Sequence, residues 1–526
     1  AGTLLENSKK GKYTETRGEE RQTYGDVMLN LSKTFKEKFS LDAHIGASIK
    51  DNRFDELSVY GPIAGAPNIF NVVNLDKSQK KTPKTGWHEQ TQSFFYSLEL
   101  GWKSQLFVTT TGRNDWASQL ANSPQKSFFY PSVGVSWLPS STFNFPEKFN
   151  YLKIRASWAS VANPFPRELT IATHPYDDTI SGWDDKSNYP IGQLYPERTK
   201  TWELGFDARF LHGFTLSASW YRADTYNQTF NPNLSASSGY SDIYIQTGHV
   251  RNTGVEASLG YDHQWKNWNW NSQFTFSWNK NKIIELCKEW YNPITEETIT
   301  MNRLQISKLG RAKFILKEGG SMGDLYSTTD LRRDDKGNIE IDEGGNVVVE
   351  DNLPDMKLGS VFPDYNLAWR NSVSWKNLNL GFLVTARIGG IVNSLTQANM
   401  DLFGVSEATA AARDAGGALV NGRSLVNPET WYTAIASQGG IPQYYTYSAT
   451  NVRLQELSLG YTIPRKWLHN VCSITVSFVG RNLWMMYCKA PFDPEAVAST
   501  NNFYQGMDYF MMPSTRNLGF NINIKF

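Results

Sequence analysis

What most limits the fold of this chain is how its connections divide between alternating segments. Phe39, Leu41, Ala43, Ile45, Ala47 and Ile49 share one face of a strand, with Ser40, Asp42, His44, Ser48 and Lys50 on the other. Val27, Leu29 and Leu31 repeat the pattern against Asp26, Asn30 and Ser32, as do Phe94, Tyr96, Leu98, Leu100 and Trp102 against Ser93, Ser97 and Glu99. Similar segments fall near 105–115, 127–138, 151–161, 199–211, 214–226, 247–262, 268–282, 365–376, 378–390, 449–463 and 471–484. The last stretch alternates too: Phe520, Ile522, Ile524 and Phe526 oppose Asn521, Asn523 and Lys525. This predicts about fifteen strands of roughly ten or more residues, where five or six is usual and nine to eleven cross a bilayer at a tilt.

Between them, short and long connections take turns. The short set is 36–38, 103–104, 139–150, 212–213, 263–267, 377 and 464–470; the long set is 51–87, 116–126, 162–198, 227–246, 283–364, 391–448 and 485–514. A soluble sandwich has no reason to sort loops by length, whereas an outer-membrane barrel keeps short turns on its periplasmic side and long loops outside. The expectation is an all-β, transmembrane antiparallel β-barrel. Lys36, Ser104, Gly213 and Lys466 would be periplasmic, and Asp76, Ser187, Gly344 and Ala415 extracellular.

Composition agrees. Trp, Tyr and Phe number 18, 25 and 29, yet mean hydropathy is −0.46 and no apolar run approaches the ~18 residues of a membrane helix. A barrel explains this, because only every second residue meets lipid and aromatic girdles mark the interfaces. Trp102, Trp137, Trp158, Trp202, Trp220, Trp278 and Trp375 lie on the apolar face near strand ends, as a belt would. The Ser-, Asn- and charge-bearing face would line a wet interior, since each such group costs kilocalories in lipid. A net charge of +1 gives no argument for nucleic acid or another polyanion. Cys287, Cys472 and Cys488 are too dispersed for a disulfide framework or zinc site.

The chain is expected to be part of a barrel. It opens Ala1-Gly2-Thr3-Leu4-Leu5 without the basic and apolar leader of an exported protein. Single-chain bacterial barrels have even strand numbers with both ends periplasmic, and an odd count of about fifteen leaves strands to be supplied upstream.

Several stretches resemble the SusC/RagA-type TonB-dependent transporters. They are Y-P-S-V-G-V-S-W at 130–137, N-Y-L-K-I-R-A-S-W-A at 150–159, Y-P-E-R-T-K-T-W-E-L-G at 195–205, N-T-G-V-E-A at 252–257 and F-P-D-Y-N-L-A-W at 362–369. V-R-L-Q-E-L-S-L-G-Y-T-I-P at 452–464, G-R-N-L-W at 480–484 and D-P-E-A at 493–496 continue the series in the family's order. The resemblance implies a 22-stranded barrel around an N-terminal plug, of which this chain would supply strands eight to twenty-two. It implies TonB-dependent import of oligosaccharides, or alternatively oligopeptides, with a SusD-like surface lipoprotein as lid. The plug, the remaining strands and the TonB-contacting segment would lie outside this chain. A passive porin and a structural surface protein are the readings from other classes; a TonB box ahead of a plug would exclude both.

No catalytic, cofactor or metal constellation is evident. His44, His88, His174, His212, His249, His263 and His469 are scattered, and no phosphate loop or zinc-binding H-E-x-x-H is present. D-D-K-G-N-I-E-I-D at 334–342 lacks the spacing of a calcium loop and reads as a hairpin. Glu407 to Arg413 reads as a helical loop element contacting the lipoprotein. For ligand binding, flat aromatics on the long loops are the candidates, because sugar rings stack their C–H faces on them: Trp183, Tyr189, Trp290, Tyr291, Trp431, Tyr432, Tyr444, Tyr445 and Tyr447.

Overall fold

The computed structural model describes residues 10–526 apart from 168, 170–175, 178–181, 184–187, 190–193, 231–241, 293–295 and 500–503, with only the backbone described at a few strand positions beside these. Fifteen long strands form one antiparallel sheet in chain order. They are β1 (Lys12–Phe35), β2 (Phe39–Pro62), β3 (Lys84–Trp102), β4 (Leu106–Ala117), β5 (Phe128–Trp137), β6 (Phe149–Asn163), β7 (Glu197–Phe210) and β8 (Phe214–Phe230), then β9 (Ile245–Trp265), β10 (Trp268–Glu285), β11 (Tyr365–Trp375), β12 (Leu378–Ile388), β13 (Asn451–Ile463), β14 (Ser473–Cys488) and β15 (Asn517–Lys525). The expected alternation of short and long connections holds except around β5, where 118–127 on the expected long side and 138–148 on the expected short side are of nearly equal length. Among the described residues no helix is long and apolar enough to cross a membrane.

Contacts group the chain into two compact units, the first being Ala1–Val135, Ala159–Thr199 and Asn233–Gln246. In it, β1 and β2 pair over all 24 residues, from Lys12↔Pro62 to Phe35↔Phe39. The register keeps apolar residues on one side: Val27↔Ala47↔Phe94 and Leu29↔Ile45↔Tyr96 run across β1, β2 and β3. Val27 is 79% exposed and Leu29 70%, so this face has no protein against it and suits lipid. On the opposite face Asn30 bonds His44 at 2.6 Å, and beyond the apolar stretch of the first face Asp51 bonds His88 at 2.8 Å and Gln90 at 3.0 Å.

Here the structure departs from the sequence reading. β1 starts at Lys12 and β2 continues to Pro62, whereas alternation marks them only from 23 and to 50. Glu15, Arg17, Glu19, Glu20 and Arg21 carry no apolar period, and only backbone pairing reveals these residues as strand. At about 3.3 Å per residue each strand runs roughly 80 Å, far beyond a hydrocarbon layer of about 30 Å, so the charged halves stand outside it.

The second unit is Ser136–Trp158, Lys200–Pro232 and Thr247–Phe526. Its strands β9 to β15 pair consecutively, with bulges where β12 meets β13 and β13 meets β14. Trp202, Trp220 and Trp375 are exposed on it, and Trp158 lies against Trp202 with centroids 6.3 Å apart. Its connections fold into structure of their own. Arg303–Leu309, Ala312–Lys317, Asp324–Ser327 and Met356–Ser360 form a four-stranded sheet over a core containing Phe314, Leu325 and Val361. Helices Leu395–Leu402, Glu407–Asp414 and Pro428–Ala436 begin on Ser394, Ser406 and Asn427, each side chain accepting from backbone N–H of the first turn. Glu407 to Arg413 is thus helical, as its composition suggests. The stretch 334–342 makes tight turns: Asp334 accepts from the N–H groups of Lys336 and Asn338 and from the Asn338 amide, and Asp342 repeats this with Asn346.

Candidate functional site

The polar face of the second unit carries an open cavity of about 690 Å³, reached by Arg155, Ser217, Glu256, Ser277, Asn366 and Arg387 among others. Strand register builds it. Glu256 on β9 faces Ser277 on β10, Ser277 faces Asn366 on β11, and Asn366 faces Arg387 on β12. The next row down, Ser258↔Thr275↔Ala368↔Thr385, bears hydroxyls. Adjacent strands lie about 4.8 Å apart, so the backbones of Glu256 and Arg387 are separated by roughly 14 Å with uncharged groups between.

Its charges differ in how far they are satisfied. Arg155 donates to Asp207 at 2.8 Å and approaches Glu203 at 3.6 Å. Arg387 donates one Nη to the Val361 carbonyl at 2.8 Å, while its buried Nε has no hydrogen-bond partner among the described residues. Glu256 makes no ion pair among them either. Gln455 and Glu495 line the far wall, and Glu495 belongs to a network behind it: Arg453 forks onto Asp493 at 2.9 and 3.1 Å, reaches Glu495 at 3.4 Å and donates Nε to Asn451 at 3.1 Å. Burial raises the Asp493 pKa, but Arg453 and the Glu495 N–H outweigh it and hold it below the usual carboxylate value. Two motifs far apart in sequence, V-R-L-Q-E-L and D-P-E-A, meet here.

The aromatic candidates lie elsewhere and in different settings. Tyr445 is fully buried, its hydroxyl donating to Asp401 at 3.0 Å; burial and that carboxylate push its pKa well above the ordinary phenol value. Trp431 meets Tyr444 edge-on at 6.0 Å, and both pack with Tyr432 and Tyr445 in one loop core around Ala398 and Ile435. Tyr432 also borders a cavity of about 330 Å³ beside Asp401 and Arg413. Tyr447 packs edge-on against Phe492 at 5.7 Å. Tyr291 is exposed on the strand Cys287–Asn292. Trp183, Tyr189 and Trp290 have described backbones within short strands, and their side chains lie outside the described residues. The structure therefore brings four of the nine together, in the loop core rather than in the large cavity. Glu256 and Arg387 were not singled out from sequence; the available signal was a charge at a polar-face position in the middle of a strand.

Comparison with known proteins fits this architecture. Residues 4–483 match the family described as TonB dependent receptor-like, beta-barrel. TonB-dependent receptor P3 of Formosa agariphila is 26% identical over an alignment covering 100% of this chain and 56% of that protein. TonB-dependent receptor SusC of Bacteroides thetaiotaomicron is 21% identical over 71% of this chain and 38% of its own length. A structure titled as the RagAB peptide transporter superposes with TM-score 0.75 over 98% of this chain and 56% of that one, at 18% identity, a likeness of fold. The chain spans about half the length of the relatives it matches.

Proposed function

This chain belongs to the TonB-dependent receptor-like β-barrel family of the outer membrane, and from that premise we propose that it forms the larger part of a nutrient importer's barrel. Its fifteen strands are read as the eighth to twenty-second of twenty-two. Partner strands beyond β1 and β15 are required because an open edge in lipid leaves backbone groups unsatisfied. Short turns face the periplasm, long loops the outside, and a SusD-like lipoprotein covers the loops. TonB, acting through segments outside this chain, supplies the energy.

The cargo is an oligosaccharide, and the polar cavity is the observation that carries this reading. Its Ser, Thr, Asn and Gln side chains offer donors and acceptors to sugar hydroxyls at strand spacing. One feature favours a second reading, an oligopeptide. Glu256 and Arg387 end a row whose interior is uncharged, a match for an ammonium and a carboxylate roughly 14 Å apart. Calorimetric titration of the whole transporter with its lipoprotein against glycan and peptide pools tests both. Heat with glycans alone supports the first reading. Peptide binding that weakens at least about tenfold in Glu256→Gln or Arg387→Gln, with no glycan response, replaces it with the second.

A further inference from the structure

The short-turn end of the second unit carries an unbalanced charge that sugar or peptide import does not use. One of its short turns, 138–148, holds Glu147 beside Lys148 and is balanced, but residues 211–213, 266–267, 376–377 and 464–472 contain Lys266, Lys376, Arg465 and Lys466 and no acidic residue. These turns are joined through backbone: Lys376 N–H donates to the Asn267 carbonyl at 2.8 Å, Thr462 N–H to Asn377 at 2.8 Å, and Asp262 N–H to Gly213 at 2.9 Å. The acid nearest in sequence, Asp262, accepts from Asn271 at 3.0 Å. Among the described residues none of these four cations makes an ion pair.

Each sits beside exposed indole. Trp265, Trp268 and Trp375 are exposed at the strand ends and Trp467 is 69% exposed in the last turn. Trp268 stacks on Trp375 at 5.6 Å, and the Lys376 ammonium lies 5.2 Å from the Trp375 ring centre. The short turns of the first unit repeat the motif by themselves, with Lys103 lying 5.0 Å from the centre of the Trp102 ring and Phe35 followed by Lys36. Indoles settle at the headgroup level of a bilayer, and a lysine or arginine one residue further out reaches the phosphates. We propose that this end of the second unit is a binding surface for the phosphate groups of anionic glycerophospholipids in the periplasmic leaflet. The orientation it uses is the one proposed above. The surface holds the barrel at a fixed depth: indoles set the apolar boundary, and ammonium and guanidinium groups pair with phosphate beyond it.

Native mass spectrometry of the whole transporter, released from micelles containing equal phosphatidylglycerol and phosphatidylcholine, reads the surface directly. Wild type is expected to retain phosphatidylglycerol preferentially, each cation contributing about fivefold at an anionic surface. The combined variant Lys266→Gln, Lys376→Gln, Arg465→Gln and Lys466→Gln should lose at least about tenfold of that preference. Heat-modifiable gel migration confirms that its barrel is folded, and replacing the three lysines by arginine should keep the preference. Equal retention of both lipids by wild type, or an unchanged preference in the Gln variant, overturns the proposal. So does retention of lipid A in place of phosphatidylglycerol, which would put this end in the outer leaflet. Unchanged lipid preference with weakened capture of the TonB periplasmic domain would assign the cations to a protein partner instead, and also overturns it.

Discussion

Arg453 is the residue on which most depends locally. Its side chain is 6% exposed and that of Asp493 is 9%, so removing the guanidinium strands one buried carboxylate. Arg453→Ala should destabilise by roughly 3–5 kcal/mol, seen as a lowered thermal midpoint. Arg453→Lys should recover only part, because an ammonium cannot fork onto both oxygens. Asp355 plays a similar part in the loops, accepting from Arg303 at 2.6 and 2.8 Å with Lys317 at 2.9 Å. Arg303 first, and Lys317 after it, hold its carboxyl well below the ordinary value near 3.8 against the upward push of burial. A carboxyl depressed on folding contributes stability above that ordinary value and loses it as pH falls below. Proteolytic resistance of the loops should therefore be flat from pH 7 to 5 and decline below about pH 4. Asp355→Asn should be weaker at pH 7 and flatter with pH; an unchanged acid limb would mean other carboxyls dominate.

At the scale of elements, the strands were legible because lipid on one side and water on the other impose a period of two on every crossing. Where that contrast ends, as along Lys12–Tyr24, the period ends while the strand continues. The short turns are tight and partly strained: Lys103 and Ser104 have φ of 50° and 54°, a region where a Cβ costs about 1–2 kcal/mol. Ser104→Gly should raise stability by about 1 kcal/mol, once glycine's added unfolded-state entropy is set against that relief. Urea unfolding of the barrel in vesicles would show it; a loss would mean that the hydroxyl makes a contact worth more than the strain.

For the whole molecule, the orientation proposed from loop length predicts that a membrane-impermeant maleimide labels Gly344→Cys on intact cells, and Lys466→Cys only after lysis. The reverse would invert the barrel and remove the basis for both the lid and the lipid surface. Family resemblance was readable because motifs such as N-T-G-V-E-A and G-R-N-L-W occur in a set order, and the match over residues 4–483 bears it out.

The sequence by itself determined the number of strands and their alternation of faces, because both follow from the local period imposed by two solvents, and it placed most of the turns and loops between them. Tertiary structure alone decided which polar-face residues meet. Glu256 and Arg387 lie 131 positions apart in the chain, and they share a row only because the registers of β9 to β12 align them. It likewise decided that Trp431, Tyr444 and Tyr445 pack in a loop core. An aromatic residue in a loop carries no period, and only the surfaces brought against it determine whether it is buried or free.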